Sequence, residues 1–289
     1  MLDINEILSR FDIQLPKEDV KISQFSGAED GSLYDCYLID FGCKKAVLKR
    51  AKNHELEVYS AFFRDNVIGA PKFIGSANFN GNTYILIEYA DGVDLRACNR
   101  DALKLTLDAL ISLQDKFWDN KELSSVGLTY KDSLGARIDR GRYLNDKEIE
   151  KAYAAFLDAY SNIPRTLCHD DLLPFNVIVG DEATIIDWEY AGILPYLTSI
   201  ARLIAHTEDN ADAFFYMSRE DYEFAIQYYY ENFISRRGIA YDQYRRDLDL
   251  FILYEYCEWI MLGNKYPDAD MMRMKAYYKK AYELIKKLQ

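Results

Sequence analysis

Residues 168–192 constrain this chain more than any other stretch: CHDDLLPFNVIVGDEATIIDWEYAG. A His, an Asn and several acidic residues stand among strand formers. Asn176-Val177-Ile178-Val179 is a short apolar run, Gly180-Asp181-Glu182-Ala183 is a polar break with turn chemistry, and Thr184-Ile185-Ile186-Asp187 is a second run. Two such runs joined by a short Gly-containing loop read as a β-hairpin. Pairing Val179 with Thr184 sets Ile178 against Ile185, Val177 against Ile186 and Asn176 against Asp187. Directly opposed residues have Cβ atoms roughly 4.5–5.5 Å apart. On this register an amide oxygen and a carboxylate lie side by side at the open end of the hairpin. Two hard oxygen ligands, with room for water and phosphate, suit Mg²⁺. Asp171, on the loop entering the hairpin, faces the same point as a third acidic group that can accept a proton.

A base Asp, then a metal-binding Asn, then a metal-binding Asp is the catalytic order of a kinase. His169-x-Asp171-x-x-x-x-Asn176, followed by Ile186-Asp187-Trp188-Glu189, resembles the family of aminoglycoside phosphotransferases and choline kinases. The Trp-Glu ending is more similar to the choline-kinase side than to the Phe-Gly ending of protein kinases. The resemblance runs from about Val20 to the end of the chain. It implies an α+β, two-lobed protein-kinase-like fold, with a small N-terminal antiparallel-sheet lobe (1–91) that binds nucleotide. A larger, mainly helical C-terminal lobe (92–289) would carry catalysis and substrate binding. By the same resemblance Asp171 orients and deprotonates a substrate hydroxyl, Asn176 and Asp187 hold Mg²⁺, and ATP or GTP donates phosphate. His169 orders its loop through hydrogen bonds. Glu189 either reaches a second metal through water or holds the loop.

Upstream, residues 2–12 read as a short amphipathic helix ended before Pro16. Residues 20–25 alternate, residues 26–32 form a turn of small residues, and residues 33–40 read as the partner strand. Backbone N–H groups of a glycine-bearing turn can cover phosphates, with Gly31 and Ser32 as candidates. Ala46-Val47-Leu48-Lys49 matches the Val-Ala-Ile-Lys type of strand. The family resemblance gives Lys49 the α- and β-phosphates and a Glu partner on the next helix. On residues 54–63, Tyr59 and Phe62 follow Glu55 at i+4 and i+7, so Glu55 shares their inward face. Glu55 is the expected partner, with Glu57 as runner-up. Residues 83–89 read as a buried strand broken by Ala90-Asp91-Gly92. By resemblance this is the hinge between the lobes, with the Glu88 carbonyl and the Ala90 N–H at the nucleobase and Ile87 lining the pocket.

Beyond Gly92 the period becomes helical. Leu103, Leu107, Leu110 and Leu113 stripe residues 101–118. Residues 132–142 are polar, helix or loop, and residues 146–160 form an amphipathic helix stopped by Asn162 and Pro164. Residues 219–289 read as helices rich in Tyr. Arg137, Arg140 and Arg142 read as surface charges. Glu255 and Glu258, with Trp259, are candidates to receive a cationic substrate by ion pairing and cation–π contact. Most other aromatics there read as helical core. After the motif the family often carries Asp-Pro-x-x-Asp-Leu-Ala, whose second Asp braces the catalytic loop. Here that place falls to Thr198, or to Ser199 if the register slips, and a hydroxyl caps loop amides without charge.

A net charge of −12 repels nucleic acid and fits a cationic or amino-alcohol substrate. Five scattered cysteines without a Cys-x-x-Cys pair read as reduced thiols of a cytoplasmic protein. The N-terminus lacks signal-peptide features, and no apolar run approaches the roughly 18 residues that span a bilayer. A protein kinase is disfavoured, since Asp187-Trp188-Glu189 replaces Asp-Phe-Gly and no Ala-Pro-Glu follows. The expectation is an ATP- or GTP-dependent kinase, monomer or homodimer, acting on a hydroxyl of a small amine-bearing acceptor. The alternatives are a choline- or ethanolamine-type kinase and a nucleotide-binding protein without transfer activity.

Overall fold

Alternating apolar residues in the first third of the chain close into one antiparallel sheet. The computed structural model describes residues 3–12, 20–26, 31–266 and 271–289, the side chains of 271–273 excepted. After α1 (Ile4–Ser9) come β1 (Lys21–Ser26), β2 (Leu33–Asp40), β3 (Lys45–Arg50), α2 (Glu55–Phe62), β4 (Phe73–Phe79) and β5 (Asn82–Glu88). The strands lie in the order β1-β2-β3-β5-β4. Successive side chains point to opposite faces. Ile39, Ala46, Leu48 and Leu86 therefore pack on α1 through Ile7 and Leu8. Val47 and Lys49 face the other way, cross-strand from Ile87 and Ile85. Ser26 pairs with Leu33, which puts Gly31 and Ser32 at the hairpin tip, Gly31 with a left-handed φ of 67°. Residues 27–30, the centre of the expected phosphate-covering turn, lie outside the described residues.

The rest is mainly helical. β6 (Val93–Asp94) leads to α3 (Arg100–Lys116), α4 (Tyr130–Gly141) and α5 (Lys147–Asn162), so the polar stretch at 132–142 is a helix. The Asn99 and Asp146 side chains accept from first-turn N–H groups of α3 and α5, which satisfies donors that a helix start leaves orphaned. All four stripe leucines of α3 are buried. β7 (Arg165–His169), β8 (Val177–Val179), β9 (Ala183–Ile185) and β10 (Ala191–Pro195) follow, then α6 (Leu197–Ala205), α7 (Arg219–Tyr229), α8 (Tyr241–Lys265) and α9 (Met271–Leu288). β6, β8 and β9 form one small sheet and β7 pairs with β10 in another.

Helix α2 bridges sheet and helices. Phe62 meets Phe117, just past α3, edge-on at 5.0 Å between centroids, and Phe63 lies 4.8 Å from Trp188. The His54 N–H, just before α2, donates to the Glu189 carbonyl. The Lys49 face of the sheet thereby meets the loops around β8 and β9, with Lys49 reaching Asp187.

Candidate active site

The hairpin forms one residue away from the expected register. Val177 pairs with Ile185, Ile178 with Thr184 and Val179 with Ala183. Asn176 consequently faces Ile186, whose N–H donates to the Asn176 carbonyl at 2.9 Å, and not Asp187. A one-residue slip sends a strand residue to the opposite face. Asp187 escapes this because it leaves the strand in a left-handed conformation, φ 65° and ψ 52°. Such a backbone costs on the order of 1–3 kcal/mol away from glycine and persists only where its surroundings hold it. Here Trp188 is buried with Nε1 donating to the Ile185 carbonyl at 2.7 Å, and Lys49 takes the Asp187 carboxylate.

Lys49 Nζ lies 2.7 Å from Glu55 Oε1 and 2.7 Å from Asp187 Oδ1. Glu55 is fully buried, whereas Glu57 is exposed and sits beside His54. The helical-face argument thus picks the right glutamate. Burial pushes the Glu55 carboxyl up to about 7, against the pull of Lys49. Burial also acts to raise Asp187, but the Lys49 ammonium outweighs it and holds that carboxyl below its ordinary range. Asp187 is therefore ionised. Asn176 Nδ2 donates to the Asp171 carbonyl at 2.9 Å, which turns Oδ1 the other way. An ionised carboxylate and an amide oxygen are hard donors that fit Mg²⁺. Among the described residues no cluster of three or more His, Cys, Asp or Glu forms a metal cage. Phosphate and water would complete such a cation's shell.

Asp171 is a third exposed at its side chain, and its Oδ1 accepts from Arg202 Nη2 at 2.8 Å and Nε at 3.2 Å. His169 is buried and neutral, its charged form disfavoured by desolvation. Its Nδ1 accepts from the Asp171 N–H at 3.2 Å, and its Nε2 donates to the Ile186 carbonyl at 2.9 Å. The imidazole thus ties the Asp171 loop to the strand leading to Asp187. Ser199 accepts from the His169 N–H at 2.8 Å. The register does slip: Ser199 is the hydroxyl at this loop, while the buried Thr198 hydroxyl finds no partner among the described residues.

At the expected hinge, Glu88 ends β5 and its N–H donates to the Lys72 carbonyl. Among the described residues no backbone carbonyl takes the Ala90 N–H. Ile87 is buried on the Lys49 face. Glu189 accepts from Asn53 Nδ2 at 3.0 Å, so with its carbonyl on His54 it holds the start of α2.

The family model described as "phosphotransferase enzyme family" matches residues 42–232. The chain belongs to this family. Solved structures agree on the fold. A thermostable mutant of aminoglycoside phosphotransferase APH(4)-Ia, in ternary complex with ADP and hygromycin B, is 17% identical, with a TM-score of 0.58 over 92% of this chain and 94% of that one. A putative aminoglycoside phosphotransferase from Ralstonia eutropha JMP134 is 11% identical, with a TM-score of 0.61 over 97% and 94%. Plasmodium vivax ethanolamine kinase is 17% identical, with a TM-score of 0.57 over 92% and 82%. No curated protein sequence matches the chain.

Around α4 and α8 the structure corrects two sequence expectations. Arg137 is buried, not a surface charge: it lies between the rings of Tyr160 and Tyr254, 4.6 Å from each, and Nη2 reaches Asp170 Oδ1 at 2.5 Å. Arg140 pairs with Glu258 and Tyr254. Arg140 and Arg142 are exposed, as surface charges. Glu255 and Glu258, expected to receive a cation, each lie 2.6 Å from Arg202 Nη1. Burial acts to raise Glu255, but Arg202 and His206 hold it down at about 2. Sequence reasoning missed Arg202 altogether. The signal was there: it is the one charged residue in LTSIARLIA, three residues after Ser199 and so on the same helical face.

Proposed function

We propose that this phosphotransferase-family chain moves the γ-phosphoryl group of ATP or GTP onto a hydroxyl of a small acceptor. Residues 1–91 would act as the nucleotide lobe and 92–289 as the catalytic lobe. The observation that carries the reading is Lys49, which bridges Glu55 and Asp187 across the cleft at 2.7 Å each. A cation held by two carboxylates at the mouth of a sheet is poised to meet phosphate oxygens. The hinge backbone at Glu88 and Ala90, with Ile87, would seat the base, and Gly31 and Ser32 would lie over the phosphates.

Bound at Asn176 and Asp187, Mg²⁺ would offset charge on the transferring group. Asp171 Oδ1 is taken by Arg202, which leaves Oδ2 for the acceptor hydroxyl. As the acceptor oxygen bonds to the γ-phosphorus, the bond to the ADP oxygen breaks and the hydroxyl proton passes to Asp171. Positioning and electrostatics supply the rate. An amine-bearing acceptor, aminoglycoside or amino alcohol, is supported by the named relatives and the net charge of −12. Glu255 and Glu258 lend it no support, because guanidinium groups already occupy them. Asp171→Ala is expected to abolish transfer while calorimetry shows ADP bound as by the wild type. Turnover surviving in that variant contradicts the base assignment.

A further inference from the structure

Asp171 does not stand alone. Two donors of one guanidinium converge on its Oδ1, and the remaining Nη1 of that guanidinium is gripped by two carboxylates of α8. Arg202 is 14% exposed and Glu255 3%, so the contact between them is shielded from competing water. His206 Nε2 lies 3.3 Å from the same Glu255 oxygen, and its Nδ1 lies 2.9 Å from the Tyr277 hydroxyl of α9. On the far side Arg140 takes the other oxygen of Glu258. A planar fork fixed at both ends has one orientation.

We propose that Arg202 is a positioning residue that sets the Asp171 carboxylate with Oδ2 toward the acceptor, and that Glu255 and Glu258 hold Arg202 to that task. The inference rests on Asp171 being the base. It gives α8 a part in the reaction, since the catalytic loop itself supplies nothing that fixes the rotation of the Asp171 side chain. The loop bonds of Asp171 run through its backbone, N–H to His169 and carbonyl from Asn176. Only the Arg202 contacts reach its carboxylate among the described residues. A carboxylate free to rotate would present the proton acceptor in the right place for part of the time only.

The test uses the full chain with Mg·ATP and water as the acceptor, reading phosphate release, so that no acceptor need be known. Arg202→Ala is expected to lower the rate roughly ten- to a hundredfold, the range in which misplacement of a reacting group falls. ADP binding by calorimetry should stay as in the wild type. Added guanidinium ion at millimolar concentration should restore part of the rate, and Arg202→Lys should keep part of it. Because Arg202→Ala strands two carboxylates, the charge-matched pair Arg202→Gln with Glu255→Gln serves as a second variant with the same expected loss. Unchanged or faster phosphate release in both variants overturns the proposal, as does a loss that guanidinium does not relieve and that ADP binding shares. If wild type and Asp171→Ala release phosphate equally, the base assignment fails and this inference with it. If Asp171→Ala is silent and the Arg202 variants are not, the Arg202 inference alone fails.

Discussion

Thr198 and Ser199 are adjacent and buried, yet only one of them works on the loop. Ser199 takes the His169 N–H, whereas the Thr198 hydroxyl has no hydrogen-bond partner among the described residues. Stranding a buried N–H costs about 1–3 kcal/mol, and removing an already unpaired hydroxyl costs little. Ser199→Ala should therefore lower the unfolding free energy from urea titration by that amount, while Thr198→Val should be neutral or stabilising. Glu255 makes a pH prediction. Its folded carboxyl, held at about 2, lies below the ordinary 4.5. A depressed acid stabilises above its unfolded value and loses that contribution as pH falls through the folded one. From pH 4.5 toward 2 the wild type should lose more urea stability than Glu255→Gln, and parallel curves would contradict this. At this scale Lys49 and Glu55 were legible because helical spacing fixes which glutamate turns inward. The left-handed Asp187 was not, because nothing in a non-glycine residue announces that conformation.

At the scale of elements, the hairpin at 176–187 was readable from two apolar runs and a break, but its register was not. Register depends on which turn the loop adopts, and Gly180-Asp181-Glu182-Ala183 admits more than one. The β7–β10 pair escaped notice for another reason. Leu167, Cys168, Ile193 and Leu194 are all buried, so neither strand alternates and the period that marks a half-exposed strand is missing. Gly192 in β10 lies where a Cβ would come within 2.0 Å of the Leu128 carbonyl oxygen. That neighbour is backbone and cannot swing aside. Gly192→Ala should cost about 1–3 kcal/mol or more through overpacking. Because Ala191 pairs with His169, it should also lower turnover. A variant with unchanged melting temperature would contradict the close approach.

Across the whole molecule, the sheet lobe and the helical lobe are joined at the site itself. Lys49 comes from the sheet, Glu55 from α2 and Asp187 from the turn after β9, and one ion-pair bridge spans all three. Among the described residues no helix is long and apolar enough to cross a membrane. The family was legible around Asp171 because His169, Asp171, Asn176 and Asp187 stand there in the family's order and spacing. The ion pairs of Asp170, Glu255 and Glu258 were not, because the buried arginines that neutralise them come from α4 and α6, far away in sequence. The most direct measurement is phosphate transfer from Mg·ATP and Mg·GTP across aminoglycosides, choline, ethanolamine and thiamine, with Asp171→Ala alongside. The account predicts transfer to at least one hydroxyl-bearing amine, lost in Asp171→Ala while ADP still binds. Transfer that survives in Asp171→Ala, or a wild type that binds neither nucleotide, would contradict it.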